Sequence, residues 1–206
     1  MKLSALTCIL SLLLCGCPSP KQSLDSPVPQ NGQSHVASGI IFPQRVDNMQ
    51  RTRITRYDKA GDDVSAGYDS TDRLLRLFAT VYVYPSPPLT SIGSPQNVID
   101  QARTKLSEQE FERCKLEIVN NNSGAKLIEQ REVTHLESTQ AYKGKLAIYE
   151  YNYSFGGPPV PVRSYLYLFC YVDGKWAIKY RFTHPKDVDA LPTIEAFLQS
   201  FKWRIQ

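Results

Sequence analysis

Length, composition and charge exclude several classes of protein for this chain. Its 206 residues are 42% hydrophobic and 11% aromatic, and the formal net charge is +4 at pH 7. This composition excludes disordered, collagen-like and low-complexity proteins. The positive charge is too small to indicate a nucleic-acid partner, and we expect none.

The first 17 residues have the pattern of a bacterial lipoprotein signal. Lys2 precedes a mainly apolar stretch over residues 3–14, which is too short to span a bilayer and has the length of a secretory signal. The stretch ends in Leu14-Cys15-Gly16-Cys17, which resembles a lipobox. The resemblance implies that residues 1–16 are cleaved off and that Cys17 carries the lipid. An ordinary secretory signal or an uncleaved anchor is the alternative.

The next segment has the composition of a tether. Residues 18–38 are rich in Pro and Ser and contain few apolar side chains. Residues 17–38 are therefore predicted to be the lipidated cysteine and a semi-extended linker, with His35 exposed. Pro18 stands where enterobacterial lipoproteins kept at the inner membrane have Asp. We therefore expect a protein of the bacterial cell envelope that is lipid-anchored in the outer membrane and faces the periplasm.

The remaining residues, 39–206, are predicted to form a single domain that begins with three strands. Alternation over residues 53–58 and 63–69, around a turn sequence at 59–62, predicts a β-hairpin. Residues 74–84 are rich in β-branched and aromatic side chains and predict the third strand.

A helix is predicted after Ser94-Pro95, which is a typical helix start. Two apolar stripes follow, and at 100° per residue they are offset by well over 90°. Residues 107–110 lie between the stripes and match a capping box. Because a straight helix would leave one stripe off the core, we expect a kink or break near Ser107. The first stripe contains Val98, Ile99, Ala102 and Leu106, and the second contains Phe111, Cys114 and Ile118.

Four strands and a second helix complete the predicted domain. The strands cover residues 126–137, 145–155, 162–172 and 175–183, and the helix covers residues 189–201. Strands joined by short turns pair antiparallel. The predicted fold is therefore α+β, with a single curved antiparallel sheet flanked by helices in the order β-β-β-α-β-β-β-β-α.

Several fragments resemble a group of bacterial proteins of unassigned function, some of them lipoproteins. These fragments are Phe42-Pro43, Arg53 with Tyr57-Asp58, residues 61–68 (GDDVSAGY) and residues 79–85 (ATVYVYP). The element order also resembles, in topology, the PsbP type of domain, which is a curved antiparallel sheet flanked by helices. Neither resemblance implies a catalytic motif.

The sequence contains no spacing that is typical of a metal site, a serine nucleophile or a phosphate-binding loop, so we expect no metal and no cofactor. Cys114 and Cys170 alternate with apolar residues and are predicted to be buried thiols. A disulfide between them is the alternative, because the periplasm is oxidising. The group of Arg51, Arg53 and Arg56 is interpreted as the solvated side of an edge strand, with contact to a glycan or lipopolysaccharide as the alternative.

The long strands carry aromatic side chains that form the candidate binding surface. Either a helix or the amino-terminal segment covers these rings, or they form an open surface for a peptide, a glycan or an envelope protein. The candidate residues are Tyr149, Tyr151, Tyr153, Tyr165, Tyr167 and Tyr171.

These observations favour a lipid-tethered binding or assembly module without catalysis. The alternative is a periplasmic envelope enzyme, such as a hydrolase, whose site is assembled from residues distant in sequence. Glu150 is the first carboxylate to inspect for such a site, because it lies on a strand between Tyr149 and Tyr151.

Overall fold

The predicted α+β class is confirmed by the computed structural model, which describes residues 33–90 and 93–203. Its main body is an eight-stranded antiparallel sheet with two helices. The elements, in chain order, are β1 Gln33–Ser34, β2 Ile41–Phe42, β3 Arg45–Val46, β4 Met49–Arg56, β5 Val64–Ser70, β6 Phe78–Pro85, α1 Gln96–Asn121, β7 Lys126–Glu137, β8 Gln140–Tyr153, β9 Val160–Val172, β10 Trp176–Pro185 and α2 Leu191–Ser200. The predicted signal and Cys17 lie outside the described residues.

The strand order in the sheet is β3-β4-β5-β6-β10-β9-β8-β7, and every pair is antiparallel. Strands β3–β6, which precede α1, form one half of the sheet, and strands β7–β9 form the other. The last strand, β10, lies between β6 and β9 and joins the two halves. β1 and β2 pair with each other in a separate ribbon.

The two faces of the sheet are covered differently. Side chains alternate along β10, so Trp176, Ile178, Tyr180 and Phe182 lie on one face, and Ala177, Lys179, Arg181 and Thr183 lie on the other. The first face, here called the α2 face, carries the larger apolar core and is covered by α2 and by residues 40–49. On the second face, here called the α1 face, α1 packs against β8 and β9.

The predicted break in the first helix is wrong, because α1 runs from Gln96 to Asn121 without interruption. The helix buries only its second apolar stripe, which includes Phe111 and Ile118, whereas Val98 of the first stripe is 47% exposed. Unbroken backbone hydrogen bonding along the helix therefore outweighs the burial of the first stripe.

The folded domain begins earlier than the predicted boundary at residue 39. His35 is fully buried rather than exposed, and its ring packs edge-on against that of Trp176, with ring centres 4.6 Å apart. Its Nδ1 is 2.7 Å from Ser38 Oγ, and its Nε2 is 3.0 Å from the carbonyl oxygen of Asp62. With both ring nitrogens paired, the imidazole can be buried, so residues 33–38 belong to the domain rather than to the tether.

Glu110 connects α1 to the sheet through hydrogen bonds. The hydroxyl of Tyr84 donates to its Oε1 at 2.7 Å, and Nε of Arg113 donates to its Oε2 at 2.8 Å. Burial raises the pKa of Glu110, but the hydrogen bonds from Arg113 and Tyr84 outweigh burial, so the pKa is lowered overall. The carboxylate therefore stabilises the fold in its charged form.

We expect Glu110→Gln to lower the free energy of unfolding at pH 7 by about 1–3 kcal/mol, because Arg113 and Tyr84 lose a charged acceptor. A lowered pKa contributes stability above the unfolded-state value of about 4.3, and this stability is lost as the pH falls through the folded-state pKa. The difference between the two proteins should therefore shrink at pH 3 in urea denaturation. Glu108→Gln, which removes a half-exposed partner of Lys145, serves as the control and should change stability by less.

Candidate functional site

The six candidate tyrosines do not lie on one face of the sheet. Tyr165 pairs across the strands with Ile148, and Ser164 pairs with Tyr149. The register therefore places Tyr149, Tyr151 and Tyr153 on the α1 face, and Tyr165 and Tyr167 on the α2 face. The alternation within each strand is visible in the sequence, but the register between two strands is not.

Most of these tyrosines are also covered. Tyr149 and Tyr151 are buried under α1, and Tyr165 and Tyr167 are buried on the α2 face. Tyr171 lies at a bulge with φ of 55°, and its hydroxyl donates to the carbonyl oxygen of Pro87 at 3.0 Å. Of the six rings, only that of Tyr153, which is 42% exposed, is widely open to solvent.

Cys114 and Cys170 are free thiols in the structure, so the alternative of a disulfide is not realised there. Burial raises the pKa of Cys114, and it raises the pKa of Cys170 to about 12. Both are therefore protonated at neutral pH, which is unfavourable for a nucleophile.

Glu150 has the environment of an ion-paired carboxylate. Nη2 of Arg163 lies 2.8 Å from its Oε1, and Nζ of Lys186 lies 2.6 Å from its Oε2. Hydrogen bonds from Lys186 and Arg163 lower its pKa, which is opposite to the shift that a general acid requires. Within residues 33–90 and 93–203, no cluster of His, Cys, Asp and Glu could hold a metal ion.

A polar groove of about 490 Å³ lies on the α1 face, on the half of the sheet that precedes α1. The carboxyl end of α1 forms one side of the groove through Glu117 and Asn121, and β4, β5, β6 and β10 form its floor. Gly67, which has no side chain, and Thr80, whose side chain is small and polar, lie at the middle of the floor.

One cross-strand row of residues defines the middle of this groove. Arg53 pairs with Gly67, Gly67 with Thr80, and Thr80 with Arg181. Three strand spacings of about 4.8 Å separate the two arginines at their backbones, which is about 14 Å. The groove therefore has a guanidinium at each side and small residues between them. These four residues are here called the central row.

Gly67 allows Arg53 to lie along the floor of the groove. A Cβ atom at Gly67 would be 3.1 Å from Cγ and 3.3 Å from Nε of Arg53. The side chain of Arg53 therefore lies directly over Gly67, and it points along the central row towards Thr80. The φ of Gly67 is not positive, so its backbone does not require glycine. Glycine is needed here because the missing side chain leaves space for Arg53.

Arg181 is the guanidinium that is held on the sheet. Its Nη2 donates to Ser164 Oγ at 3.2 Å, and its Nε is buried and has no hydrogen-bond partner among residues 33–90 and 93–203. In the part of the chain that the structure describes, neither Arg181 nor Arg53 forms an ion pair. A buried donor without a partner is costly, and such donors are uncommon in folded proteins.

The charged groups of the groove, Arg53, Arg181 and Lys179 against Glu117 and Asp69, leave a net positive charge. Lys179 is buried, lies 3.3 Å from Glu117 and lies over the ring of Tyr82 at 4.3 Å, so the lysine and the glutamate offset each other. Burial raises the pKa of Asp69, and nearby Arg53 only partly opposes this. The electrostatics therefore favour an anionic group between Arg53 and Arg181.

An aromatic rim adjoins the same groove. Phe78 is 39% exposed and stacks on Phe155, with ring centres 5.4 Å apart. Tyr153 packs edge-on against Phe155 at 5.0 Å. Phe78 and Tyr153 line the groove, so exposed aromatic rings border the charged floor.

The three arginines that the sequence grouped together occupy different environments. The interpretation as an edge strand holds for Arg53 and Arg56, because among the described residues β3 pairs only with Met49 and Gln50, and β5 alone flanks β4 at residues 53–56. Arg51 is buried on the α2 face, where it donates to the carbonyl oxygen of Phe42. A bulge between Arg51 and Arg53 changes the alternation, and Arg53 therefore lies on the α1 face.

Arg181 was not singled out in the sequence, although it alternates with the apolar side chains of β10. A charged residue in a strand that is otherwise apolar could have marked Arg181 as functional, because central strands rarely carry unpaired charge. The sequence alone does not show which residues lie beside Arg181 on the neighbouring strands. The pairing of β10 with β6 brings Arg181 into the same row as Arg53.

Comparison with protein-family models and with curated proteins finds no match for this chain. The resemblance of residues 42–85 to bacterial lipoproteins therefore stays a prediction. Neither helix in the described part of the chain combines the length and the hydropathy of a membrane span.

Proposed function

We propose that this protein is a non-catalytic binding module of the bacterial envelope, tethered by lipid at Cys17, which binds an anionic ligand in the groove. The single observation that carries the proposal is Arg181, whose Nε is buried beside an open polar groove and has no partner among the residues that the structure describes. A ligand carboxylate or phosphate would supply the missing acceptor, and Arg53 would approach it from the other side of the central row.

The tether leaves the groove free for such a ligand. Several acyl chains on Cys17 would anchor the chain stably, because each buried methylene contributes about 0.8 kcal/mol. The predicted linker follows Cys17, and the first strand of the described domain begins at Gln33. We place the anchor in the outer membrane and the domain on the periplasmic side, so no surface of the domain is needed for membrane attachment.

The chemistry of the groove supports binding over the alternative of catalysis. Its acidic side chains are Asp69 and the ion-paired Glu117. The three histidines lie away from it, with His35 beside Trp176, His135 against Trp203 and His184 against Tyr165. Two arginines on an open polar floor are typical of anion recognition.

The lipid anchor can be tested by Cys17→Ser. We expect this change to abolish incorporation of labelled fatty acid and to leave the protein unprocessed or released from the membrane, because the serine hydroxyl does not replace the thiol in lipid attachment. Cys15→Ser is the matched control and should keep the label. Unchanged labelling of the Cys17→Ser protein would contradict the assignment of the anchor.

The groove can be tested with two anionic probes, polygalacturonate and polyglutamate, by titration calorimetry. We expect at least one probe to bind, and Arg181→Ala to weaken that binding by about tenfold or more through loss of a charged hydrogen bond. Gly67→Ala should also weaken it, because the added methyl displaces Arg53 while all charges remain.

Arg56→Ala is the matched control for charge. Arg56 lies on the same strand as Arg53 but pairs with Val64, which belongs to the core of the α2 face. The control should keep at least half of the affinity. Equal losses for Arg56→Ala and Arg181→Ala would overturn the proposed site, and so would the absence of binding to both probes.

A further inference from the structure

On the basis of the proposed function, we infer that the ligand of the groove is an acidic glycan, which is a saccharide chain that bears carboxylates. The groove combines a hydroxyl-lined floor, two guanidinium groups and exposed aromatic rings. These three features match the three chemical groups of such a chain, namely its hydroxyls, its carboxylate and its apolar C–H faces.

The central strands of the floor offer no free backbone to a peptide. β5, β6 and β10 each have a hydrogen-bonded neighbour on both sides, so their backbone groups are already paired within the sheet. A peptide that binds by adding a strand needs an exposed sheet edge. A peptide lying across this floor would have to leave its own amide groups to water or to side chains.

The side chains of the floor suit saccharide hydroxyls. Thr80 and Thr183 are half-buried, and Asn121 and Asn122 lie at the end of α1. Hydroxyl and amide groups both donate and accept hydrogen bonds, as saccharide hydroxyls do. Thr183 already shares a contact of 3.2 Å with Ser164, which in turn accepts from Arg181, so the polar groups form a connected network.

Asp69 distinguishes the groove from a general polyanion site. It lies beside the central row, in register with Phe78 on the neighbouring strand. A carboxylate there accepts hydrogen bonds from ligand hydroxyls, whereas it repels a ligand that presents acids and no hydroxyls. The arrangement therefore favours a chain in which each carboxylate is accompanied by hydroxyls.

The aromatic rim supplies the remaining contact. Phe78 and Tyr153 are among the few large aromatic side chains that are widely exposed in the described part of the chain, and both line the groove. The C–H bonds of a sugar ring are apolar and carry slight positive charge, so they pack on the negative face of an aromatic ring. Such packing orients the sugar while the arginines bind its carboxylate.

Three probes of matched length test the inference by calorimetry on the purified Cys17→Ser protein, which lacks the lipid. They are trigalacturonate, the neutral cellotriose and triglutamate. We expect trigalacturonate to bind at least about tenfold more tightly than either of the others, since it alone presents both hydroxyls and carboxylate. Arg181→Ala and Phe78→Ala should each weaken its binding by about threefold to tenfold or more, whereas Arg56→Ala should not.

The outcomes separate this inference from the proposed function. If triglutamate binds as tightly as trigalacturonate, and Arg181→Ala weakens the binding of both, the groove is an anion site as proposed but the assignment of a glycan ligand is wrong. If cellotriose binds as tightly as trigalacturonate, the carboxylate has no role and both assignments fall. If no probe binds, or if Phe78→Ala and Arg181→Ala leave the affinity for trigalacturonate unchanged, the inference is overturned.

Discussion

Trp176→Ala is expected to lower the free energy of unfolding by about 3–5 kcal/mol, which is the range for removing a large buried aromatic side chain. The ring is 2% exposed and belongs to the core of the α2 face. The ring of His35 contacts it edge-on, and Nζ of Lys175 lies 4.5 Å above it. Alanine would leave a cavity at the point where the amino-terminal segment meets the sheet.

This position gives the variant a second measurable effect. Because His35 packs against Trp176, the loss of the ring should release residues 33–42 before the rest of the domain unfolds. Urea denaturation measures the first effect, and amide hydrogen exchange over residues 33–42 measures the second. Lys175→Ala, which removes only the charge above the ring, is the control and should cost about 1 kcal/mol or less. Unfolding of Trp176→Ala at the wild-type urea concentration would contradict the assignment of this residue to the core.

The second large effect expected is a loss of stability between pH 7 and pH 5, caused by three buried histidines. His35, His135 and His184 are each less than a tenth exposed. Burial lowers the pKa of all three below the usual value of 6.5, although nearby carboxylates or backbone carbonyls partly oppose this. The neutral imidazole is therefore the form that the folded state accommodates.

His35 shows the structural reason most clearly. Its Nδ1 accepts a hydrogen bond from the backbone N–H of Ser38, which leaves Nε2 to donate to the carbonyl oxygen of Asp62. A proton on Nδ1 would remove that acceptor. The charged groups that face the ring are Asp62, Asp58 and Asp63, and their attraction for the protonated form is weaker than the cost of burial.

The direction of the effect follows from proton linkage. Below pH 6.5 the three histidines bind protons in the unfolded chain but stay neutral in the folded chain, so the free energy of unfolding falls as the pH falls. Each histidine contributes a slope of at most about 1.4 kcal/mol per pH unit, between its folded-state pKa and 6.5. Above pH 7 the three contributions are complete and the slope from these groups vanishes.

Urea denaturation from pH 7.5 to 5 measures this slope, and NMR titration of the three imidazole rings assigns it. We expect each ring to titrate below pH 6.5. A flat free energy of unfolding over this range, or rings that titrate at 6.5 or above, would contradict the buried neutral state. Glu110→Gln is a suitable control, because the lowered pKa of Glu110 acts in a more acidic range and the variant should keep the slope above pH 5.

Gly67 is a position at which a substitution can shift Arg53 without removing a charge from the groove. Gly67 has a negative φ, so alanine is compatible with its backbone, and the nearest atoms to an added Cβ belong to the flexible side chain of Arg53. Gly67→Ala should therefore shift the side chain of Arg53 without destabilising the sheet. Arg53→Ala alone would remove the side chain and could not distinguish its position from its contribution to stability.

The sequence by itself determined the class of this fold and most of its long elements, whereas β1, β2 and β3 were not predicted. Period-two alternation predicted the long strands, and Asp173-Gly174 predicted the turn into β10, because these signals depend only on neighbours along the chain. The same alternation placed Trp176 in the core. The lipid anchor at Cys17 is a prediction of the same local kind.

Only the tertiary structure decided which side chains meet. His35 is polar and lies in a segment rich in Pro and Ser, yet it is buried because Trp176 and Asp62 reach it from distant parts of the chain. The tyrosines were divided between two faces by strand register, and Arg53 and Arg181 were brought into one row by the pairing of four strands. The physical reason is that register and face coverage depend on contacts between residues far apart in sequence, for which local pattern carries no signal.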